Sequence, residues 1–385
     1  MSVIHRIALT FAGTAGAVAA AAMVMAPAAG AQSTSAAPFI SQFHTTTTIA
    51  STVPGNGDLN PYGTAVVSES TGNLHRGDVL ISNFNDSGNL QGTGTTIVEV
   101  SPGGTVTQFA GIDPTKLPGA CPGGVGLTTA LSILPGGWVV VGSLPTTDGT
   151  SATAAAGCLI VLDSHGNVRE TISGHGINGP WDMTSLSLGH VAELFVTNVL
   201  NGTQAANGKV TNQGTVLRLV LVLDGNQPPK LVAVTTIGSG FPERTDPAAL
   251  VVGPTGVGLD SHGTLFVADS VDNRIAAIPF APIRLTSAGT GKTVTTGGAL
   301  NTPLGLAIAP NGDVLTVNAA DGFIVETTPG GKQVATHLLD STVPSPQTTP
   351  PTPPGAGALF GLAVAPDGAG VYYVDDAANT LALLH

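Results

Sequence analysis

Six oxygen-bearing side chains recur at similar intervals along the chain: Asn83, Ser143, Asn198, Asp269, Asn318 and Asp375, separated by 60, 55, 71, 49 and 57 residues. Each closes a short apolar run, as in Val79-Leu80-Ile81-Ser82-Asn83 and Leu265-Phe266-Val267-Ala268-Asp269. Amide, hydroxyl and carboxylate oxygens brought to one point would suit Ca²⁺ or another divalent cation that takes oxygen ligands. The same residues have a plainer use, because an Asp or Asn at the end of a strand caps the following turn with its own side chain.

Asp182 stands apart. Three runs begin Pro-x-Gly, in Pro61-Tyr62-Gly63, Pro254-Thr255-Gly256 and Pro303-Leu304-Gly305, and a fourth reads Leu359-Phe360-Gly361. The third unit instead reads Pro180-Trp181-Asp182. A carboxylate where its sisters keep glycine is a candidate catalytic base or cation ligand. His175 and Asn178 precede it as candidate ligand-binding residues, and Trp181 would be either a stacking wall or a plug. A second irregularity is Phe241-Pro242-Glu243-Arg244-Thr245-Asp246, conspicuous in a chain with 9% charged residues. Glu243, Arg244 and Asp246 would bind a carboxylate or phosphate through the Arg244 fork, or form an internal ion pair stapling a long loop. The chain contains no G-x-S-x-G, H-E-x-x-H or Walker motif.

The elements that position these residues repeat. Each unit reads as strand a, a tight turn, the apolar strand b described above, a loop, strand c, a turn and strand d. In the fifth unit, Gly305–Ala309 turns through Pro310-Asn311-Gly312-Asp313 into strand b, and Pro329-Gly330-Gly331 joins strands c and d. Such turns between β-rich runs are hairpin signals, since glycine supplies the positive φ they need. Recurrence at this period marks an array whose units bury their faces against one another.

Gly258-Leu259-Asp260, Leu265-Phe266-Val267-Ala268-Asp269 and Asn273-Arg274-Ile275 together resemble an NHL repeat, and units five and six are looser copies. The resemblance implies an all-β six-bladed β-propeller of four-stranded blades, an architecture shared with the SMP-30/gluconolactonase-like family. Unit six ends after Thr380–Leu384 without a strand d, and Phe43–Ile49 is a spare strand that would complete blade six and close the ring. In a propeller the a–b and c–d turns share one face, and the b–c and d–a loops share the other. Here the first face carries minimal turns and the second nearly all the long segments, so the long-loop face is expected to be functional. The acidic metal ligand that gluconolactonase-like enzymes carry near the first strand a is missing, with Asn60 in its place.

Residues 1–31 read as a signal peptide. One cation in Met1–Arg6 precedes an Ala-rich apolar run and an Ala29-Gly30-Ala31 cleavage site. Residues 32–38 form a short linker and residues 39–385 a single propeller domain. The protein is therefore expected outside the cytoplasm, secreted or periplasmic, after cleavage near Ala31. Removing Arg6 leaves 11 cations against 24 anions, a net charge of −13. That disfavours nucleic acid and anionic membranes as partners, and no later segment is long and apolar enough for stable membrane insertion. The two cysteines, Cys121 and Cys158, are expected to pair in an exported chain. Asn201-Gly202-Thr203 matches a glycosylation sequon.

Two functions follow. The first is a non-catalytic scaffold whose long-loop face binds a protein, a glycan or a small molecule. The alternative is a divalent-metal-dependent, lactonase-like hydrolase or lyase at the channel mouth. There Asp182, Asp269 and Asp375 would hold the ion with Asn198 and Asn318, and the metal would polarise a carbonyl or activate water.

Overall fold

Short runs rich in Val, Ile, Leu and Phe, bounded by Gly, Pro and Asn turns, form strands because such side chains pack on a pleated surface. In the computed structural model, which describes residues 37–344 and 351–385, they build six antiparallel sheets. Blade 1 comprises Leu59–Val66, Val79–Asn85, Thr96–Val100 and Val106–Gly111, as strands a to d. Blade 2 comprises Leu127–Leu134, Trp138–Ser143, Cys158–Leu162 and Val168–Ile172. Blade 4 comprises Pro254–Leu259, Leu265–Asp269, Arg274–Ile278 and Lys292–Thr296, and blade 5 Pro303–Ile308, Val314–Asn318, Phe323–Thr327 and Gln333–Leu338.

Blade 3 departs from the four-stranded plan. Gly179–Leu188, Val191–Val199, Thr211–Asp224 and Gln227–Asp246 are followed by a fifth strand, Leu250–Val252, which folds back on the end of strand d. The segment read as an irregular loop, Phe241–Asp246, is thus the continuation of a long strand. The only α-helix among the described residues is Thr203–Ala206, and no described helix is long and apolar enough to cross a membrane. The expected signal peptide lies outside the described residues.

Blade 6 is completed across the chain. Leu359–Val364, Val371–Asp375 and Thr380–Leu384 accept Thr46–Ser51 as the outer strand, antiparallel, with Thr46 opposite Leu384 and Ser51 opposite Thr380. The strand starts three residues later than the sequence suggests because Phe43 has another task. Phe39, Ile40 and Phe43 are buried in the cluster between blades 5 and 6. The carboxylate of Glu326, fully buried, accepts the Phe39 and Ile40 N–H groups at 2.6 and 2.8 Å. The N-terminal segment is therefore anchored before it pairs, and the pairing covers what would otherwise be a bare sheet edge.

The core is divided into seams between neighbouring blades. Leu159 and Val161 of blade 2 meet Leu194 and Val196 of blade 3. Val267 and Ile278 of blade 4 meet Phe195 and Val216 of blade 3. A disulfide joins Cys121, in the connection between blades 1 and 2, to Cys158 at the start of strand c in blade 2. A chain shortened to begin at Thr52 would lose the anchor and expose Thr380–Leu384 as an edge. Size-exclusion chromatography of that chain is expected to show self-association with a lowered thermal midpoint; a monodisperse monomer of unchanged midpoint would contradict this account of closure.

Candidate functional site

The ends of the central channel are set by one repeated irregularity. All six inner strands slip register at the same place, between Pro61 and Gly63, Leu127 and Leu131, Pro180 and Met183, Pro254 and Val257, Pro303 and Leu306, and Leu359 and Leu362. A bulge turns consecutive side chains away from simple alternation. The residue just before the glycine position is buried in every blade: Tyr62, Thr128, Trp181, Thr255, Leu304 and Phe360. Tyr62 and Phe360 stack at 3.9 Å between ring centroids, and Trp181 lies parallel to Phe360 at 6.5 Å. The Trp181 indole N–H donates to the Val251 carbonyl at 3.0 Å, so the fifth strand of blade 3 braces this layer. Trp181 is part of a plug that seals the channel at the long-loop end.

Beneath the plug, all six inner strands line a cavity of about 400 Å³. Its walls continue to Val66, Ile133, Leu259, Ile308 and Val364, which are half-buried at the short-turn end of the strands. The channel therefore opens on the face opposite to the one expected from loop length. Asp182 sits at its inner end, next to the plug. At this bulge position four blades keep glycine: a Cβ on Gly305 would overlap the Phe360 carbonyl oxygen, and one on Gly361 the Tyr62 carbonyl oxygen. In blade 3 the side chain instead reaches the next blade, where Asp182 Oδ2 accepts the Val257 N–H at 3.1 Å, and Oδ1 accepts the Met183 N–H at 2.8 Å.

Among the described residues, Asp182 is the only ionisable side chain lining this cavity. Burial pushes its carboxyl up to about 8, against the opposing pull of the two N–H donors. A group of this kind is protonated at neutral pH and able both to give and to retake a proton. Around it the lining carries the hydroxyls of Thr64, Thr129, Ser132, Thr184 and Ser185. Sequence reasoning did not single these out; the one available signal was Thr128-Thr129 standing where other units keep x-Gly.

The remaining predicted residues, His175 apart, are held in internal contacts. Asn198 Oδ1 accepts the N–H groups of Asn178 and Gly179, and its amide donates to the Gly176 carbonyl. Asn318 does the same for the loop ahead of blade 5, accepting from Asn301 N–H and donating to the Ala299 carbonyl. Asn83 donates to the Thr52 carbonyl, and Ser143 to that of Gly124. Asp375 accepts the Ala378 N–H in its own turn. Asp269 pairs with Arg274 at 2.8 Å, both buried, although burial still lifts the Asp269 carboxyl to about 6. Four of the six closing residues thus tie down the loop that delivers an inner strand.

Asp182, Asp269 and Asp375 do not converge. Among the described residues, the one group of three or more His, Cys, Asp or Glu ligand atoms within 4.8 Å of each other contains none of them. A carboxylate below an apolar plug, with amides above it committed to backbone, does not fit a divalent cation at the channel mouth. On the long-loop face, the charged set read from the sequence is not free among the described residues. Glu243 is fully buried and accepts the Asn201 N–H at 3.0 Å, and Arg244 pairs with Asp246 at 2.8 Å. Asn178 donates to the Asn201 side chain, while His175 is exposed beside an outer groove between blades 2 and 3. Of the residues on which the scaffold reading rested, all but His175 are engaged in internal contacts, and that reading is not supported.

Burial also raises the Glu243 carboxyl to about 8. For Asp182, Glu243 and Asp269 the folded-state pKa lies above the ordinary carboxylate value. The folded protein therefore holds protons that the unfolded chain releases from about pH 4 upward. Stability falls as pH rises from about 4 to about 8 and levels off above, each such group contributing a slope of up to ~1.4 kcal/mol per pH unit. Urea midpoints at pH 5 and pH 8 should show the loss, and Asp182→Asn should reduce it. A midpoint that rises over this range would overturn the placement of these carboxylates.

No protein-family model matches the sequence, and no curated protein matches it. Solved structures do share its architecture. A gluconolactonase from Xanthomonas campestris is 11% identical, with 85% of this chain and 86% of that chain covered and a TM-score of 0.51. Regucalcin, a calcium-binding protein from Agrobacterium tumefaciens, is 11% identical over 88% and 93% of the two chains, with a TM-score of 0.51. A putative glucose dehydrogenase from Thermus thermophilus is 12% identical over 89% and 99%, with a TM-score of 0.53. At such identities the likeness concerns the fold, and the chain shares the six-bladed β-propeller architecture of the gluconolactonase and regucalcin structures.

Proposed function

We propose that this protein is a small-molecule hydrolase or lyase, lactonase-like in the bond it opens, working inside the central channel from the short-turn face. The observation that carries this reading is Asp182, a lone titrating carboxyl at the closed end of a hydroxyl-lined cavity. The fold shared with a protein described as a gluconolactonase agrees with it. A lactone entering the channel would be stopped by the plug of Tyr62, Trp181 and Phe360, which also keeps bulk water from the inner end. Protonated Asp182 would donate to the ring oxygen as the acyl C–O bond breaks, and the resulting carboxylate would recover its proton from the attacking water. Wall hydroxyls such as Thr129 and Thr184 would hydrogen-bond the carbonyl oxygen as charge develops on it. No metal enters the scheme, because the donor set around the cavity holds a single carboxylate.

The same reading puts the chemistry outside the cytoplasm. The apolar leader ending near Ala31 and the Cys121–Cys158 bridge support export. Turnover of a panel of γ- and δ-lactones, including glucono-δ-lactone, by wild type and Asp182→Asn tests the mechanism. Loss of a general acid–base group is expected to lower kcat about 10²–10⁴-fold and to remove an inflection near pH 8 from the rate profile. Turnover that survives in the folded Asp182→Asn protein, with the same pH profile, would sink the assignment. Thermal unfolding of the variant separates lost chemistry from lost structure.

A further inference from the structure

We propose that His75, Asp78 and Glu99 form a site for a divalent transition-metal ion such as Zn²⁺ on the short-turn face of blade 1, separate from the channel chemistry. Local geometry brings the three together. Strands b and c of this blade pair with Leu80 opposite Glu99, and side chains alternate along a strand. Asp78, two residues before Leu80, therefore projects to the same side as Glu99. The Asp78 N–H donates to the His75 carbonyl at 3.0 Å, a tight turn that sets the imidazole over the same spot. The His75 N–H donates to Glu99 Oε1 at 2.7 Å, and His75 Nδ1 lies 3.2 Å from Glu99 Oε2.

One ligand atom from each of the three residues lies within 4.8 Å of the others. The 3.2 Å separation of Nδ1 and Oε2 is close to the edge of a coordination polyhedron built on metal–ligand bonds of about 2.0–2.2 Å. Charge points the same way. Glu99 is 2% exposed, yet its one ion-pair partner is an imidazole, and neither it nor Asp78 pairs with a Lys or Arg among the described residues. A buried carboxylate without a cation is costly, and a bound dication removes that cost. The His75 side chain is 68% exposed, so the outer side is open for an ion to enter and keep water ligands. One imidazole with two carboxylates suits Zn²⁺ and similar ions better than Ca²⁺, which prefers oxygen alone. The ion would clamp the 67–78 connection, which also contributes Ser68 to the channel wall, against strand c.

The test is calorimetric titration of Zn²⁺ into tag-free protein stripped with chelator, for wild type, His75→Ala and Asp78→Asn, with the visible spectrum of bound Co²⁺ as a second readout. The expected result is one site per chain, with affinity reduced at least tenfold in both variants and the Co²⁺ ligand-field bands weakened. His75 is exposed, so its variant should fold as wild type does. Absence of Zn²⁺ binding by wild type, or unchanged stoichiometry and affinity in both variants, would overturn the proposal.

Discussion

Everything in this molecule depends on how closely six inner strands can approach one axis. At the bulge position of blades 4, 5 and 6 the backbone lies against that of the next blade, so closely that a Cβ on Gly256, Gly305 or Gly361 would overlap a neighbouring carbonyl. Glycine is required there by volume, whatever its φ. Closing the ring at this radius has two consequences. The residue before the bulge is forced into the axis and becomes part of a plug, and the residues after it line a narrow cavity. Where blade 3 departs from glycine, the substitute side chain has nowhere to go except along the cavity wall, and it must find hydrogen bonds there. Asp182 does so through two backbone N–H groups. The same confinement strips it of water and lifts its pKa.

The polar residues that close each strand b show how a repeated feature can mimic a site. Four of them satisfy backbone groups of the loop that enters an inner strand. Buried N–H and C=O groups need partners, and long loops packed at the rim of a propeller have many such groups and no ladder to pair them. An amide is well suited because it donates and accepts at once. Four of the ring's oxygens thus serve loops that ring closure packs at the rim, Asp375 caps its own turn, and Asp269 pairs with Arg274. Glu326 does for the N-terminal segment what the amides do for the loops, with a carboxylate serving two N–H groups.

The likeness to gluconolactonase and regucalcin structures concerns architecture, and a fold of this kind hosts unrelated functions. In this chain Glu243, Arg244 and Asp246, on the extended strand d of blade 3, are held in internal contacts, while the opening of the channel lies under the short turns. Short turns leave the end of the cavity uncovered, whereas the fifth strand of blade 3 and the aromatic layer close the other end. Loop length is therefore a poor guide to the accessible face when the loops are spent on sealing the axis.

By itself, the sequence determined the periodicity, and with it the number of blades, the closure by an N-terminal strand and the strand order within each blade, except for the fifth strand of blade 3. These follow from local alternation and turn chemistry, since stacking the units in a ring buries their apolar faces against one another. It also marked Asp182, because a broken repeat is visible without coordinates. What it could not carry was the direction of side chains at the bulges. A register slip of one residue exchanges wall for plug, and no local pattern records it. The tertiary structure alone decided that Trp181 seals the channel and that Asp269 belongs to Arg274. It alone decided that the cavity opens beneath the short turns, and that His75 and Asp78 meet Glu99 across two strands. Apart from the Asp269–Arg274 pair, which two adjacent strands of one blade bring together, these depend on distances between residues far apart in the chain, set by packing of neighbouring elements.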